Sequence, residues 1–353
     1  MTRWLLVGAG FTGEVVARRL LARGDSVVVT KRDAAAAAAL GAALGAPGIG
    51  LLLAAAPTSA AATAATAPTA PAASAAPTAA TAATAAFDFA DIVASSAPTA
   101  PTAPTAPTAP AAATAPTAAT AATALAAPAA ATAPTAATAP TAPFDFADIV
   151  ASFAPPGADP AGEARALVEL ARAVGAKRLV YVSSTGVYAP SGGAWVDEDW
   201  PREPTTASGR ARLAAEDALR DTLDVVVLRA AGIYGPGRGL AERIRSGAFR
   251  VVGDGRAHVS RIHVEDLASA VIAAGDAHTT GFVPLNIADD DPAPLGEVAD
   301  AIAARLGLPP PPRVPLDAVS SETAGMLTAD RRISNARAKQ LLGLALRFPS
   351  WRG

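Results

Sequence analysis

Three glycines near the amino terminus have the spacing of a dinucleotide-binding turn. They follow the apolar residues 4–7 and precede residues 14–24, whose apolar side chains recur at three- and four-residue steps. A strand, a glycine turn and a helix in this order direct free backbone N–H groups at a pyrophosphate. The sequence therefore predicts that this turn binds a dinucleotide. The predicted contacts are Gly8, Gly10, Phe11, Thr12 and Gly13.

The residues after the second predicted strand, 26–30, bear on which dinucleotide is bound. The strand ends at Thr30 and is followed by Lys31 and Arg32. NAD-specific sites usually have an acidic residue here, which accepts hydrogen bonds from the ribose 2′-hydroxyl. A hydroxyl and two cations instead suit a 2′-phosphate, so the sequence favours NADP(H) over NAD. In the alternative, the two cations form a solvated loop and Asp33 contacts the ribose.

Composition argues against several classes of function. The 353 residues carry a net charge of −2, no cysteine and three histidines. Such a balance gives no reason to expect nucleic acid or an anionic membrane as a partner, and the histidines predict no metal site. We expect no signal peptide before the glycine turn and no transmembrane helix. The prediction is a cytoplasmic protein that acts on a small-molecule substrate, with a homodimer as an open alternative.

Residues 54–143 differ from the rest of the chain. They are almost entirely Ala, Pro and Thr, without Lys, Arg or Glu. Prolines prevent a continuous helix, and small side chains bury too little surface to offset the entropy of ordering. We interpret the tract as a disordered or polyproline-II-like insertion.

A short segment near this tract occurs twice. Residues 87–95 recur residue for residue at 144–152. Only the second copy continues into a predicted helix, so that copy is assigned as the fourth strand. The first is predicted to be unpaired, with an added edge strand as the alternative.

The remaining residues, 1–53 and 144–353, are enough for one α/β domain. A third strand is predicted near residues 50–53 and an amphipathic helix at 159–174. Alternating strands and helices predict a Rossmann-type doubly wound parallel sheet. A small C-terminal substrate subdomain is expected to follow it.

Three further motifs follow the glycine turn in order. They are Ser-Ser-x-x-Val-Tyr at 183–188, Arg-x-x-x-Ile-Tyr-Gly-Pro at 229–236 and Arg-Ile-His-Val-x-Asp at 261–266. Together the four motifs resemble those of the extended short-chain dehydrogenase/reductase family, the NAD(P)-dependent epimerase/dehydratase group. The resemblance covers nearly everything outside 54–143, and the carboxyl terminus looks like that of an atypical branch.

The resemblance implies three catalytic positions. In the family, a Ser or Thr hydrogen-bonds the substrate oxygen, a Tyr is the general acid/base, and a Lys four residues later holds the nicotinamide ribose. These roles fall on Ser184, Ser208 and Arg212. A serine hydroxyl is a weaker acid than a phenol, and a guanidinium does not release its proton. The implied function is an NAD(P)-dependent oxidoreductase or epimerase/dehydratase with an atypical site; the alternative is a non-catalytic NADP(H)-binding sensor or scaffold.

The other predicted cofactor contacts lie later in the chain. They are Ala154, Arg212, Ala231 and Gly232. Tyr188 is interpreted as a packing residue rather than a substitute acid. His263 is assigned to a structural turn, with Asp266 opening the next helix. Arg261 is predicted either to meet an anionic substrate or to pair with Asp266.

Overall fold

The computed structural model describes residues 1–50 and 147–352; the tract 54–143, including the first repeat copy, lies outside them. The strands in chain order are β1 (Arg3–Val7), β2 (Ser26–Lys31), β3 (Gly48–Gly50), β4 (Ile149–Ser152), β5 (Arg178–Ser184), β6 (Trp195–Val196), β7 (Val225–Ala230), β8 (Gly232–Tyr234), β9 (Val251–Val252), β10 (His258–Val259), β11 (Arg261–His263), β12 (Phe282–Ile287), β13 (Ala293–Pro294), β14 (Arg313–Val314) and β15 (Arg332–Ile333). The helices are α1 (Phe11–Arg23), α2 (Ala34–Leu44), α3 (Pro160–Ala173), α4 (Ala207–Ala218), α5 (Leu240–Arg245), α6 (Val264–Asp276), α7 (Leu295–Arg305), α8 (Ser321–Leu327) and α9 (Ala336–Leu342).

Seven strands form one parallel sheet in the order β12-β7-β5-β4-β1-β2-β3. From β1 the chain builds outward in one direction to β3, and from β4 it builds outward in the other. The order therefore reverses between β1 and β4, and ligands of open α/β sheets bind outside the carboxyl ends of the strands at such a reversal. The predicted Rossmann-type doubly wound sheet is confirmed.

The central strands are buried because helices cover the sheet. In β1, Trp4 is 1% exposed and Leu6 is fully buried, and both join a core that includes Leu20 of α1 and Leu267 of α6. Helix α1 ends at Gly24, whose left-handed φ of 87° is the usual glycine stop. This packing fixes where the first residues of α1 lie relative to the end of β1.

The sequence located the flanking elements within a few residues. The helix expected at 159–174 is α3, whose first turn is capped by the Asp159 carboxylate accepting from the Gly162 N–H at 2.9 Å. The second repeat copy supplies β4, which pairs with β1 on one side and β5 on the other. The third strand occupies Gly48–Gly50, earlier than expected, and residues 51–53 lie outside the described residues.

Beyond the main sheet, short strand pairs organise the later part of the chain. They are β8 with β11, β10 with β13, β9 with β14, and β6 with β15. A second apolar cluster lies beside them, and it includes Ile244, Phe249, Val251, Leu295 and Val298. Across 1–50 and 147–352, no helix is long and apolar enough to span a bilayer.

Candidate functional site

The glycine turn is held against β4. Gly8 has a φ of 71°, and a Cβ placed on it would lie 2.9 Å from the Ala154 Cβ and 3.0 Å from the Ala154 backbone N. A Cβ on Gly13 would lie 3.1 Å from the Ala9 Cβ, so α1 packs tightly on the strand ends. Gly10 is exposed, and the nearest atom to a Cβ there is the Gly8 carbonyl oxygen at 4.0 Å. Two glycines therefore permit close packing, and the third leaves open space.

The first turn of α1 is available to a ligand. Its N-cap is Gly10, which provides no capping side chain, and the first N–H groups of any helix lack intrahelical partners. Thr12 is buried, so its side chain faces the protein. Phe11 is half-buried beside the turn. Backbone N–H groups and the positive end of the helix dipole suit an anion here.

Thr30 supports the glycine turn from inside the protein. It is fully buried; its carbonyl oxygen accepts from the Ala9 N–H at 2.8 Å, and its Oγ1 accepts from the Gly8 N–H at 3.3 Å. The structure thus places the Thr30 hydroxyl inward, away from the surface where a 2′-phosphate was expected to meet it. Lys31 is half-buried and Arg32 is exposed, and within the described ranges neither has a side-chain hydrogen bond or ion pair. Within those ranges, no protein group therefore occupies either cation.

Asp33 is engaged elsewhere. Its Oδ1 accepts from the Ala36 N–H at 2.6 Å and caps α2. N-capping by Asp stabilises a helix by about 1 kcal/mol. The carboxylate therefore has a structural role that does not require a ribose.

Ser184 and Ser208 lie on turns that touch. Ser184 ends β5, and its Oγ accepts from the Gly186 N–H at 3.0 Å. A Cβ on Gly209, in the first turn of α4, would lie 2.3 Å from the Gly186 carbonyl oxygen. The predicted substrate-binding serine and the serine at the family's tyrosine position therefore occupy adjacent turns.

A carboxylate from a distant segment of the chain contacts Ser208. Glu322 of α8 accepts from the Ala207 N–H at 2.7 Å and from the Ser208 N–H at 3.1 Å, and the Ser208 hydroxyl donates to it as well. The side chain thus covers the start of α4. Because 114 residues separate Ser208 from Glu322, no local pattern could have paired them.

Arg212 lies one turn further along α4 and faces the strand ends. Its Nη1 donates to the Val182 carbonyl oxygen at 2.8 Å and to the Ala154 carbonyl oxygen at 3.4 Å. It also approaches the Tyr181 hydroxyl at 3.4 Å. Gly8, Ala154 and Arg212 are therefore brought together.

Tyr188 lies in a buried polar network. Its hydroxyl donates to Asn286 Oδ1 at 2.7 Å and accepts from Arg229 Nη1 at 2.8 Å. Burial raises the pKa of Tyr188 to about 12. Arg229 in turn pairs with Glu216 at 2.8 Å, with both side chains at most 1% exposed. These contacts support the packing interpretation of Tyr188 and leave it a poor acid at neutral pH.

Ala231 and Gly232 lie where β7 passes into β8. The Ala231 N–H donates to the Ile287 carbonyl oxygen at 2.9 Å, and the Gly232 N–H donates to the Ser260 carbonyl oxygen at 3.2 Å. Their backbone donors thus bond to the last residue of β12 and to the residue before β11. The carboxyl edge of β7 is shared with β5 and β4, because these strands are parallel neighbours.

Arg261 does not pair with Asp266. The Asp266 carboxylate accepts from the Arg347 and Phe348 N–H groups, each at 2.8 Å. Burial lowers the pKa of Arg261 to about 10, and the charge of Asp289 opposes this effect. The expectation of an Arg261–Asp266 pair was wrong because backbone amides near the carboxyl terminus occupy that carboxylate.

His263 is the N-cap of α6, as the turn assignment required. Its Nδ1 accepts from the Glu265 N–H at 3.2 Å, and its ring stacks on Phe348 with centroids 3.7 Å apart. An Nδ1 that accepts a hydrogen bond requires the neutral ring, and burial lowers the pKa of His263 below its usual value. Within 1–50 and 147–352, no group of three or more His, Asp or Glu could hold a metal ion.

The His263 cap makes stability depend on pH. The folded state favours the neutral ring, so the stabilisation is present above the unfolded-state pKa of about 6.5 and is lost as the pH falls below it. Relative to His263→Asn, we expect the wild type to lose free energy of unfolding between pH 7.5 and pH 5.5, because Asn also caps helices but does not titrate in this range. Urea unfolding at several pH values in this range measures the free energy of unfolding. His278→Asn, which replaces an exposed histidine, is the control. Equal pH dependence in wild type and His263→Asn would contradict the assignment.

Comparison with known proteins finds a family to which part of the chain is similar. Residues 147–288 match the model of the NAD dependent epimerase/dehydratase family. A 3-diazoavenalumate denitrifying reductase of Streptomyces sp. is 35% identical over 204 residues, which are 53% of this chain and 66% of the relative. A 2-alkyl-3-oxoalkanoate reductase of Stenotrophomonas maltophilia is 33% identical over 164 residues, which are 40% of this chain and 49% of the relative. The matches thus span about two thirds and about half of these relatives.

Several solved structures share the fold of this chain. A conserved protein of unknown function from Silicibacter pomeroyi has a TM-score of 0.67 and 26% identity, and the match covers 100% of this chain and 96% of that one. The human epimerase family protein SDR39U1, solved with NADPH, has a TM-score of 0.60 and 19% identity, and the match covers 99% of this chain and 97% of that one. MoeE5, solved with UDP-glucose and NAD, has a TM-score of 0.59 and 19% identity, covering 99% and 95%.

Proposed function

Because the chain carries a domain of the NAD-dependent epimerase/dehydratase family in residues 147–288, we propose that it binds a nicotinamide dinucleotide and acts as an oxidoreductase on a small molecule. The observation that carries this proposal is the glycine turn. Gly8 is pressed against Ala154, Gly10 leaves the first turn of α1 open, and no side chain caps that turn. A pyrophosphate matches both the space and the donors.

The cofactor we propose is NADP(H). Lys31 and Arg32 follow β2 without competing partners in the described ranges, and Asp33, the residue that would favour NAD, caps α2. Arg in particular binds a phosphate with two parallel N–H donors. NADPH in the structure of SDR39U1 is consistent with this choice.

Arg32→Gln tests this preference. We expect the dissociation constant for NADPH to rise about tenfold to a hundredfold, because hydrogen bonds to charged groups contribute about 1.5–3 kcal/mol. The dissociation constant for NADH should stay unchanged. Arg256→Gln is the matched control, because the Arg256 side chain is 89% exposed and the substitution removes one positive charge, as Arg32→Gln does. An equal loss for NADPH and NADH would contradict a 2′-phosphate contact.

The reaction we propose transfers hydride to or from a carbonyl or alcohol carbon, with the nicotinamide supplying or accepting it. Ser184 accepts from Gly186, which leaves its own hydroxyl proton for a substrate oxygen. Arg212 keeps a positive charge beside Ala154, where it can hold ribose hydroxyls. The relative that is a 2-alkyl-3-oxoalkanoate reductase supports a carbonyl substrate. The substrate class we propose is a small oxo metabolite, and the UDP-glucose in MoeE5 makes a sugar nucleotide the second class to test.

One observation keeps a non-catalytic binder as the second candidate. The Ser208 hydroxyl donates to Glu322 and so does not face a substrate as a proton donor. Titration with NADP(H) and NAD(H), followed by turnover assays on a 3-oxo ester, 4-nitrobenzaldehyde and UDP-glucose, separates the candidates. Turnover supports the enzyme. Binding without turnover, with activity gained by Ser208→Tyr/Arg212→Lys, supports the binder, and absence of binding to either cofactor overturns both.

A further inference from the structure

The loop after β8 contains a tight turn with no role in the function described so far. Gly235 and Arg238 exchange two backbone hydrogen bonds of 3.1 Å, and Gly237 between them has a φ of 75°. A Cβ on Gly235 would lie 2.7 Å from the Val264 Cγ1 and 3.3 Å from the Phe11 Cζ. The turn is therefore pressed onto the side chain that projects from the glycine turn.

The Arg238 side chain extends from this turn over the aromatic ring of Phe11. Its guanidinium carbon lies 5.2 Å from the centroid of Phe11, within the range of a cation–π contact. In the described ranges its side chain has no hydrogen bond and no ion pair, whereas Arg212 and Arg229 both bond to oxygens. The ring holds the guanidinium in place without neutralising it, and all five N–H donors stay available.

The location of this cation points to its ligand. Phe11 is the first residue of α1, so Arg238 lies beside an uncapped helix terminus that also attracts negative charge. The free N–H groups of α1 and the unpaired guanidinium thus lie next to the same residue, Phe11, and come from two segments of the chain. A doubly charged group with several acceptor oxygens satisfies both sets of donors.

We propose that Arg238 binds a phosphate oxygen of the cofactor's pyrophosphate. The first turn of α1 and the loop after β8 would then both contact the pyrophosphate. This inference rests on the proposed dinucleotide binding. The pyrophosphate is favoured over a substrate phosphate because the guanidinium lies over Phe11, the first residue of α1, rather than over the Ser184 or Ser208 turns. The Tyr-Gly-Pro-Gly-Arg sequence thereby acquires a binding role.

Titration with NADPH and NADH tests the proposal. The pyrophosphate is common to both, so Arg238→Gln should raise both dissociation constants by the same factor, about tenfold or more. Arg32→Gln should affect NADPH alone, which separates the two contacts. Arg238→Lys should recover part of the loss, because it keeps the charge without the fork. Exposed Arg256→Gln is the matched control, and thermal unfolding of each variant checks that the fold is kept.

Three results would overturn the proposal. In the first, Arg238→Gln binds both cofactors as tightly as wild type. In the second, only UDP-glucose binding weakens, which assigns the cation to a substrate phosphate. In the third, Arg238→Lys is as impaired as Arg238→Gln and both unfold at lower temperature, which makes the arginine structural. If wild type binds neither NADPH nor NADH, the proposed function fails as well.

Discussion

Gly8→Ala is expected to remove measurable dinucleotide binding and to destabilise the fold. A φ of 71° costs a residue with a Cβ about 1–2 kcal/mol. The new Cβ would also meet the Ala154 Cα and N at 3.0 Å, and backbone cannot move as a flexible side chain can. Overpacking of this kind adds about 1–3 kcal/mol. The turn must shift away from β4, and the phosphate-binding position shifts with it.

Gly24→Ala provides a matched control for Gly8→Ala. Gly24 has a φ of 87°, but a Cβ on it would meet nothing within 4 Å. The variant therefore carries the backbone strain without the clash, and we expect it to lose about 1–2 kcal/mol while binding NADPH normally. Urea unfolding and NADPH titration of both variants measure the difference. Equal affinity in the two variants would show that the close approach to Ala154 is not needed for binding.

Arg229→Met is expected to cost about 3–5 kcal/mol of unfolding free energy. Removing one partner of a buried ion pair leaves the other charge unpaired, and Glu216 is fully buried. The Tyr188 hydroxyl also loses a donor at 2.8 Å. Arg18→Met is the surface comparison: its partner Glu14 is 42% exposed, and such pairs contribute about 0.3–0.5 kcal/mol.

A double variant separates charge from packing. Glu216→Leu combined with Arg229→Met leaves no unpaired charge, so we expect it to be more stable than Arg229→Met alone. Denaturant unfolding of the single and double variants provides the coupling energy. A loss in Arg229→Met no larger than that in Arg18→Met would mean that the buried network contributes little.

The sequence predicts the first βαβ unit well because its signals are local. Glycine spacing, apolar periodicity and the stop at Gly24 lie within about two dozen residues. It also identified His263 as a turn residue, since a cap and its helix are adjacent. Such features need no knowledge of distant segments.

The prediction is less complete where a side chain's partner comes from a remote segment. Glu322 reaches Ser208 across 114 residues, and Asp266 bonds to backbone amides 81 and 82 residues away rather than to Arg261. The direction of Thr30 depends on strand alternation, and its hydroxyl supports the turn instead of meeting solvent. The candidate site thus combines a predictable turn with partners that only tertiary structure supplies.

The pairing of β1 with β4 has a consequence for how the chain tolerates a break. Leu5 faces Val150 in the sheet, and the Arg3 side chain bonds both oxygens of Asp148 at 2.9 and 3.1 Å. These contacts, together with the packing of Gly8 on Ala154, join residues before position 50 to residues after 147 without using the backbone between them. A single proteolytic cut between positions 51 and 146 would yield two fragments that still share one continuous sheet. The proposed pyrophosphate site therefore depends on the contacts between these two parts of the chain and not on the backbone that connects them.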